Sequence, residues 1–295
     1  MRSLLFIPAD DERKLAKGAG SGADALILDL EDAVSLPRKP AARELARQYA
    51  AEANQRAGRP LIYVRINDLQ TPLWQDDLAG VMPGRPDGIL LPKARDGQDV
   101  HTLSVALTHA EESAGTPRGT TRIIALTTEV PVSLLNMPSY IGASSRLAGL
   151  TWGAEDLSAA IGARSNREDD GRTWTSPYRL ARDMCLFTAV AAGVDPIDTV
   201  FVNYRDGEGL RLEAETAARD GFTAKMAIHI NQVAAINEAF TPTPQETARA
   251  EAIVRLFAEN PEAGTLGLDG EMVDRAHLVR AERLLARAKS VARPA

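Results

Sequence analysis

The chain has 295 residues, of which 44% are hydrophobic and 25% are charged, and its net charge is −6. These fractions are typical of a globular protein, so disorder, a collagen-like repeat and a coiled coil are not expected. The acidic balance and the lack of a Lys/Arg-rich block argue against nucleic-acid binding. Cys185 is the single cysteine, so no intrachain disulfide forms. No apolar run approaches the roughly 18 residues of a membrane span or forms a signal peptide, which predicts a cytoplasmic protein.

Eight short apolar runs, most of them separated by helix-like segments, form the most informative pattern in the sequence. Several are continuously apolar and are flanked by Pro, Gly or Asp, which is typical of parallel strands buried on both faces. The runs cover residues 4–7, 25–28, 61–66, 88–91, 123–127, 147–152, 199–202 and 224–228.

Helices are predicted in the gaps between these runs. The main ones cover residues 38–56, 100–114, 178–192 and 207–219, and glycines follow them. This alternation predicts parallel βαβ units, and eight units predict a (β/α)8 TIM barrel. A doubly wound open sheet is the alternative, but no GxGxxG motif follows the first run.

The barrel is expected to cover residues 1–240 and to be followed by a helical extension over 241–295. Helices are predicted at 243–259 and 271–292, and the segment 260–270 between them is expected to be exposed.

Charged and polar side chains follow most of the predicted strands, at the end of a barrel where functional residues lie. They are Asp29, Glu31, Asp32, Arg65, Asn67, Lys93, Glu129, Glu155, Asp156, Asn203, Arg205, Asp206, His229 and Asn231. Carboxylates without neighbouring Cys or His favour a hard cation such as Mg²⁺. Glu129 and Asp156 form the best pair because they follow adjacent strands, although each could instead cap the helix behind it.

Other candidate residues have two interpretations each. Arg65 could bind a carboxylate through two parallel hydrogen bonds, or it could form a buried structural ion pair. His229 follows a strand, where a structural role is favoured over that of a general base. Cys185 is expected in the core rather than as a nucleophile, and Trp152 and Trp174 are expected to fill the core rather than a pocket.

A series of short motifs runs through nearly the whole chain in a fixed order. The motifs are RSLLFIPAD (2–10), LILDLEDAV (26–34), YVRIN (63–67), ILLPKA (89–94), TEVPVSLLN (128–136), WGAEDLSAAIGA (152–163), AIHINQ (227–232), EAFTPT (238–243) and GLDGEMVD (267–274). With this order and spacing the chain resembles the citrate lyase β-subunit-like branch of the HpcH/HpaI aldolase family, which includes malyl-CoA lyases. It departs from the family pattern at Ala9, Ala224 and Ile230, which bear on the substrate more than on a metal site.

The resemblance implies a Mg²⁺-dependent carbon–carbon lyase acting on a coenzyme A thioester. By resemblance, Glu129 and Asp156 hold the metal, and Glu129 also contacts substrate. Arg65 binds the oxo acid and stabilises oxyanion charge. An acidic residue of the C-terminal segment, Asp274 or otherwise Asp269, acts as a base from a neighbouring subunit. The chain would then be a homo-oligomer, a trimer or hexamer, with the extension as a lid.

The implied reaction is reversible cleavage of a 3-hydroxyacyl-CoA, of the malyl-CoA, citramalyl-CoA or citryl-CoA class, into an acyl-CoA and a 2-oxo acid. Three alternatives remain open: a CoA-thioester hydrolase, a citryl lyase subunit that needs an acyl-carrier partner, and a CoA-ester binding protein without activity. Lys14, Lys93 and Lys225 are equally candidates for anion contacts and for surface charges.

Overall fold

Eight parallel strands follow one another in chain order around a closed barrel in the computed structural model, which describes residues 1–292. The strands are β1 (Ser3–Pro8), β2 (Ala25–Asp29), β3 (Leu61–Arg65), β4 (Gly88–Leu91), β5 (Arg122–Thr127), β6 (Leu147–Trp152), β7 (Asp195–Asp198) and β8 (Ala224–Ala227). The parallel register runs from β1–β2 through to β8–β1, which closes the barrel. The predicted (β/α)8 fold is confirmed.

Helices follow the strands. They are α1 (Glu12–Gly18), α2 (Lys39–Ala53), α3 (Leu73–Val81), α4 (Gly97–Ser113), α5 (Pro131–Leu135), α6 (Ala154–Ile161), α7 (Ser176–Ala192), α8 (Gly207–Asp220), α9 (Val233–Ala239), α10 (Pro244–Glu259) and α11 (Arg275–Ala292). Short 3₁₀ turns occur at Leu36–Arg38, Met82–Gly84, Met137–Tyr140 and Ile230–Gln232. Within residues 1–292, no helix is both long and apolar enough to cross a membrane.

The described chain forms two compact units, of which the first is Met1–Asn237 and the second begins at Glu238. Alternate side chains of the strands form the apolar core of the first unit, as is usual in such barrels. They include Leu4, Ala25, Ile27, Tyr63, Leu90, Ile124, Leu126, Ile197, Ala224 and Met226.

The seventh strand lies four residues before the predicted run. β7 is Asp195–Asp198, whereas the apolar residues 199–202 follow it as irregular chain. The sequence pattern does not indicate this strand, because two of its four residues are aspartates and one is a proline, so no apolar run is present. Asp198 is nevertheless buried, since it accepts hydrogen bonds from Trp152 Nε1 (2.8 Å) and Lys225 Nζ (2.7 Å).

The second unit contains a β-hairpin where an exposed connection and the start of a helix were expected. β9 (Thr265–Leu268) pairs antiparallel with β10 (Glu271–Asp274), and α11 begins only at Arg275. Asp269 and Gly270 form the turn with φ of 53° and 83°, the left-handed pair that an Asp-Gly hairpin turn requires. Val273 of β10 packs in the apolar core between α10 and α11.

A buried ion pair ties α4 to the start of β6. Glu111 is fully buried, and its two carboxylate oxygens each accept a hydrogen bond of 2.7 Å from Arg146. The backbone N–H groups of Thr121 and Gly119 also donate to this carboxylate. Burial alone would raise the pKa of Glu111, but these hydrogen bonds together lower it to about 2.

Glu111→Ala is expected to destabilise the fold by about 3–5 kcal/mol at neutral pH, because it leaves the Arg146 guanidinium buried without its partner. Since the folded-state pKa of Glu111 is lowered, its stabilisation is full above about pH 5 and decreases as the pH falls toward 2. Urea unfolding at several pH values measures this. The difference in the free energy of unfolding between wild type and variant should become smaller as the pH falls. The control is Glu52→Ala, which removes an exposed ion pair in which the Glu52 carboxylate lies 3.9 Å from the Arg56 guanidinium. It should leave the urea midpoint of unfolding unchanged. A loss below about 1 kcal/mol for Glu111→Ala would contradict the assigned role.

Candidate active site

A cavity of about 470 Å³ opens at the carboxyl ends of the barrel strands. Asp29, Arg65, Glu129 and Asp156, from the ends of β2, β3 and β5 and the start of α6, line it. The structure therefore brings three of the four predicted site residues together in one cavity of the barrel. The fourth, Asp274, belongs to the second unit.

Arg65 is nearly buried and is oriented by two carboxylates. Its Nε and Nη2 donate hydrogen bonds of 2.7 and 2.6 Å to the two oxygens of Asp29, and its Nη1 lies 3.0 Å from Glu31 Oε2. Burial disfavours the charged guanidinium, but the bonds to Asp29 outweigh this and raise the pKa of Arg65. The predicted structural ion pair thus exists, but Asp29 takes only two of the five N–H donors. The terminal nitrogens keep N–H groups for a further anion in the cavity.

Lys93 lies among the carboxylates rather than on the surface. Its Nζ is 2.5 Å from Glu31 Oε1, 3.3 Å from Asp32 Oδ2 and 3.6 Å from Asp156 Oδ1. Burial lowers its pKa, but the hydrogen bond to Glu31 and the nearby negative charges more than compensate, so the pKa is raised. The sequence left this lysine undecided, because spacing alone does not show that the loop after β4 turns back toward the loop after β2.

Glu129 is a buried carboxylate with too few cations around it. Burial raises its pKa well above the usual range, and the charges of Asp156 and Glu31 add to this shift. One oxygen accepts a hydrogen bond of 2.6 Å from the Lys93 backbone N–H. A bound cation would relieve this repulsion and keep the carboxylate ionised.

Two residues beside Glu129 hold backbone conformations that L-residues rarely adopt. Lys93 has φ of 49° and the β-branched Thr128 has φ of 77°. Thr128 is fixed by its surroundings, because its N–H donates to Ser133 Oγ (3.3 Å) and its Oγ1 accepts from the Gly153 N–H (3.1 Å). Strain of this kind is characteristic of functional sites that a rigid frame holds in place.

Glu129 and Asp156 fit a Mg²⁺ ion better than a capping role. The N-caps of α5 and α6 are Val130 and Gly153, and neither helix has a side-chain cap hydrogen bond. Within residues 1–292, no three His, Cys, Asp or Glu side chains form a metal site from protein groups alone. Mg²⁺ does not need such a group, because it keeps several waters and takes only one or two carboxylates. A buried, cation-poor carboxylate beside a second one is a suitable donor pair.

Several other residues are held in structural roles. His229 Nδ1 accepts the Asn231 N–H at 3.2 Å, and its ring stacks on Tyr204. Cys185 is fully buried, which raises the pKa of its thiol to about 12 and removes it as a nucleophile. Trp152 is buried, as expected for a core residue, but it also lines the cavity. Trp174 packs edge-on against it at 5.1 Å.

Lys225 is neither an anion contact in the cavity nor a surface charge. It is fully buried, and its Nζ lies 2.7 Å from Asp198 and 2.9 Å from Glu213 of α8. Its neighbours on β8, Ala224 and Met226, belong to the barrel core, so Lys225 faces the surrounding helices. Lys14 is exposed and pairs with Asp11.

The two C-terminal acidic candidates, Asp274 and Asp269, differ in the hydrogen bonds and exposure of their carboxylates. Asp274 ends β10, and its Oδ1 accepts hydrogen bonds from the N–H groups of Ala276 and His277. The hydrogen bond with the His277 side chain is the main cause of a lowered pKa, so Asp274 is an ionised carboxylate. Asp269 lies at the tip of the hairpin with an exposed side chain.

A (β/α)8 barrel with a buried arginine and an acidic pair at the carboxyl ends of its strands has the arrangement typical of a barrel enzyme. The family model for HpcH/HpaI aldolase/citrate lyase matches residues 2–230. The chain belongs to this family, so the predicted family and enzyme class are confirmed.

Relatives of known name are similar over almost their whole length. The citrate lyase subunit beta of Leuconostoc mesenteroides subsp. cremoris is 32% identical over 96% of this chain and 92% of that protein. A (3S)-malyl-CoA thioesterase of Cereibacter sphaeroides (strain ATCC 17025 / ATH 2.4.3) is 33% identical over 99% and 95%. Among solved structures, protein CitE from Mycobacterium tuberculosis, in complex with magnesium, acetoacetate and coenzyme A, matches with a TM-score of 0.77 and 32% identity over 98% of each chain.

Gly153→Ala is expected to weaken Mg²⁺ binding about tenfold or more, the effect of disturbing a group that supports a metal ligand. A Cβ at this position would lie 2.7 Å from Glu129 Cγ and would displace the carboxylate from the Lys93 N–H. Isothermal titration with Mg²⁺ or Mn²⁺ measures the change. Gly207→Ala is the matched control, because its Cβ would meet no atom within 4 Å. If both variants bound the metal with equal affinity, Glu129 would be excluded as a metal ligand.

Proposed function

We propose that this protein is a Mg²⁺-dependent carbon–carbon lyase that reversibly cleaves a 3-hydroxyacyl-CoA into an acyl-CoA and a 2-oxo acid. The substrate class is that of malyl-CoA, citramalyl-CoA and citryl-CoA. The observation that carries the proposal is the meeting of Arg65 with Glu129 and Asp156 in one cavity. The names of the relatives support it, since one is a citrate lyase subunit and a similar structure holds magnesium, acetoacetate and coenzyme A.

Arg65 orients the oxo acid in this proposal. Its free N–H groups bind the substrate carboxylate, and Asp29 keeps the guanidinium plane fixed through two short hydrogen bonds. The same donors stabilise negative charge that develops on the neighbouring oxygen. Mg²⁺ on Glu129 and Asp156 would supply Lewis-acid polarisation of the substrate oxygens.

Asp274 is proposed as the base that moves the proton between the thioester carbon acid or the hydroxyl group and the enzyme. Its carboxylate is ionised at neutral pH and so can accept a proton, and we assign it to the cavity of a neighbouring subunit. The extension then acts as a lid in a homo-oligomer, a trimer or a hexamer. We place this enzyme in the cytoplasm.

A thioesterase is the second candidate, because one relative at 33% identity carries the name (3S)-malyl-CoA thioesterase. The same cavity would then direct water rather than a carbon acid to the thioester. The products formed from one substrate separate the two reactions.

With malyl-CoA and Mg²⁺, the wild-type protein is expected to release glyoxylate and acetyl-CoA, whereas free malate and coenzyme A would establish the thioesterase. Glu129→Gln should reduce turnover by about 10²–10³-fold or more, because it removes a charged group at the reacting centre. Glu208→Gln, at an exposed pair on α8, is the matched control and should retain wild-type turnover. Full activity of Glu129→Gln would contradict the metal assignment.

Activity of the isolated chain on free CoA esters would exclude a required acyl-carrier partner.

Arg65→Ala and Asp274→Ala are each expected to be nearly inactive, but subunits mixed from the two variants should regain activity. A site built from Arg65 of one subunit and Asp274 of the next is intact in about a quarter of positions after random equal mixing. Native mass spectrometry confirms that subunits exchanged. Asp269→Ala should remain active alone. Mixed oligomers without activity would contradict a shared site.

A further inference from the structure

The cavity wall has two chemically different arcs. The barrel order places β2 to β6 on one side, and their ends contribute the charged groups around Arg65 and Glu129. Strands β7, β8 and β1 are adjacent on the other side, because β8 pairs with β1 and closes the barrel. We call the first the charged arc and the second the apolar arc.

The apolar arc is lined by carbon. Its cavity-lining side chains are Phe6 and Pro8 from β1, Val200 after β7, and Met226 and Ile228 from the end of β8. Phe6 lies with its ring 5.0 Å from the Arg65 guanidinium, so apolar surface begins directly beside the carboxylate-binding group.

Hydroxyl groups are the polar atoms that border this arc. Thr151 and Thr199 line the cavity, and both are almost completely buried. Thr151 Oγ1 has no hydrogen-bond partner among the described residues. It can give a neutral substrate oxygen one hydrogen bond, but it cannot neutralise a carboxylate.

Two cations close to the apolar arc in sequence do not line the cavity. Lys225 faces the helices and is committed to Asp198 and Glu213. Arg205, in the loop after β7, lies over the ring of Tyr204. Among the cavity-lining residues, Arg65 is the one Lys or Arg, and it shares the cavity with five carboxylates. Those carboxylates are Asp29, Asp32, Glu129, Glu155 and Asp156.

From this arrangement, and resting on the proposed function, we propose that the oxo acid is a short monocarboxylate. Its carboxylate binds Arg65, and its other substituent, a hydrogen or a small alkyl group, lies against the apolar arc. Glyoxylate and pyruvate fit this description, and oxaloacetate does not.

The physical reason is the fate of a second carboxylate. On the apolar arc it would be desolvated without a cation or a set of hydrogen bonds, which is a costly state for a charge. On the charged arc it would meet several carboxylates and no uncommitted cation. Arg65 would already bind the first carboxylate of the acid, Lys93 is bonded to Glu31, and the proposed Mg²⁺ would be held by Glu129 and Asp156. A methyl group on the apolar arc gains from burial instead.

The test is condensation with acetyl-CoA and Mg²⁺, using glyoxylate, pyruvate and freshly dissolved oxaloacetate as separate partners. Products are read by mass, because malyl-CoA, citramalyl-CoA and citryl-CoA differ, and pyruvate formed by decay of oxaloacetate is then recognised. The expected kcat/KM for citryl-CoA formation is about 100-fold or more below that of the better monocarboxylate. Citryl-CoA formation within about tenfold of it would overturn the inference and leave the lyase proposal intact. Failure of all three acids to condense would overturn the lyase proposal itself.

A charge placed on the apolar arc gives an independent readout. Ile228 is 39% exposed at the cavity rim, so a longer side chain is accommodated there without repacking the core. Ile228→Arg is expected to raise citryl-CoA formation about tenfold or more over the matched neutral variant Ile228→Gln. An equal rise in both variants would show that polarity rather than charge decides, and would overturn the electrostatic basis of the inference.

Discussion

The Arg65 guanidinium and its two short hydrogen bonds to Asp29 are the interaction on which the rest of the site depends. Carboxylates crowd the carboxyl ends of the strands, and burial makes each one costly to ionise unless a cation lies beside it. Arg65 compensates Asp29, and Lys93 is bonded to Glu31. Glu129 is left over, buried and repelled by its neighbours. The shortage of positive charge around Glu129 favours the binding of a cation in this cavity.

The frame around this charge balance is held by backbone groups as much as by side chains. The loop after β4 turns at Lys93 with a positive φ and so presents both its N–H to Glu129 and its ammonium to Glu31. The loop after β5 turns at Thr128, which is bonded to Gly153 at the end of β6. The two turns therefore fix the carboxylates of Glu31 and Glu129. The absence of a side chain at Gly153 leaves the space that the Glu129 side chain occupies. Preorganisation of this kind lets a site act without rearranging its own charges.

The sequence predicts the strands of the barrel well where they carry short apolar runs, and poorly where polar groups replace apolar ones. Short apolar runs identified seven strands, and the charged residues that follow them lie at the carboxyl ends of the barrel strands. β7 escaped because its buried Asp198 is satisfied by Trp152 and Lys225, partners that are distant in sequence. The same network explains why Lys225 could not be recognised as buried. The hairpin of the second unit carried a readable Asp-Gly turn signal, which was outweighed by the helix-forming residues after it.

The ability of the site's carboxylates to accept a proton depends on which of them are already bound to cations. Within the barrel, Asp29 and Glu31 are bound to cations, and burial raises the pKa of Glu31 as well as that of Glu129. A carboxylate that is protonated, or that neutralises a neighbour, is a poor base for a carbon acid. Asp274 takes no part in this charge balance. His277 and backbone N–H groups lower its pKa, so it is ionised at neutral pH, although the lowered pKa also makes it a weaker base. In the proposed mechanism, a base supplied by a separate unit would therefore be ionised independently of the charge balance around Arg65.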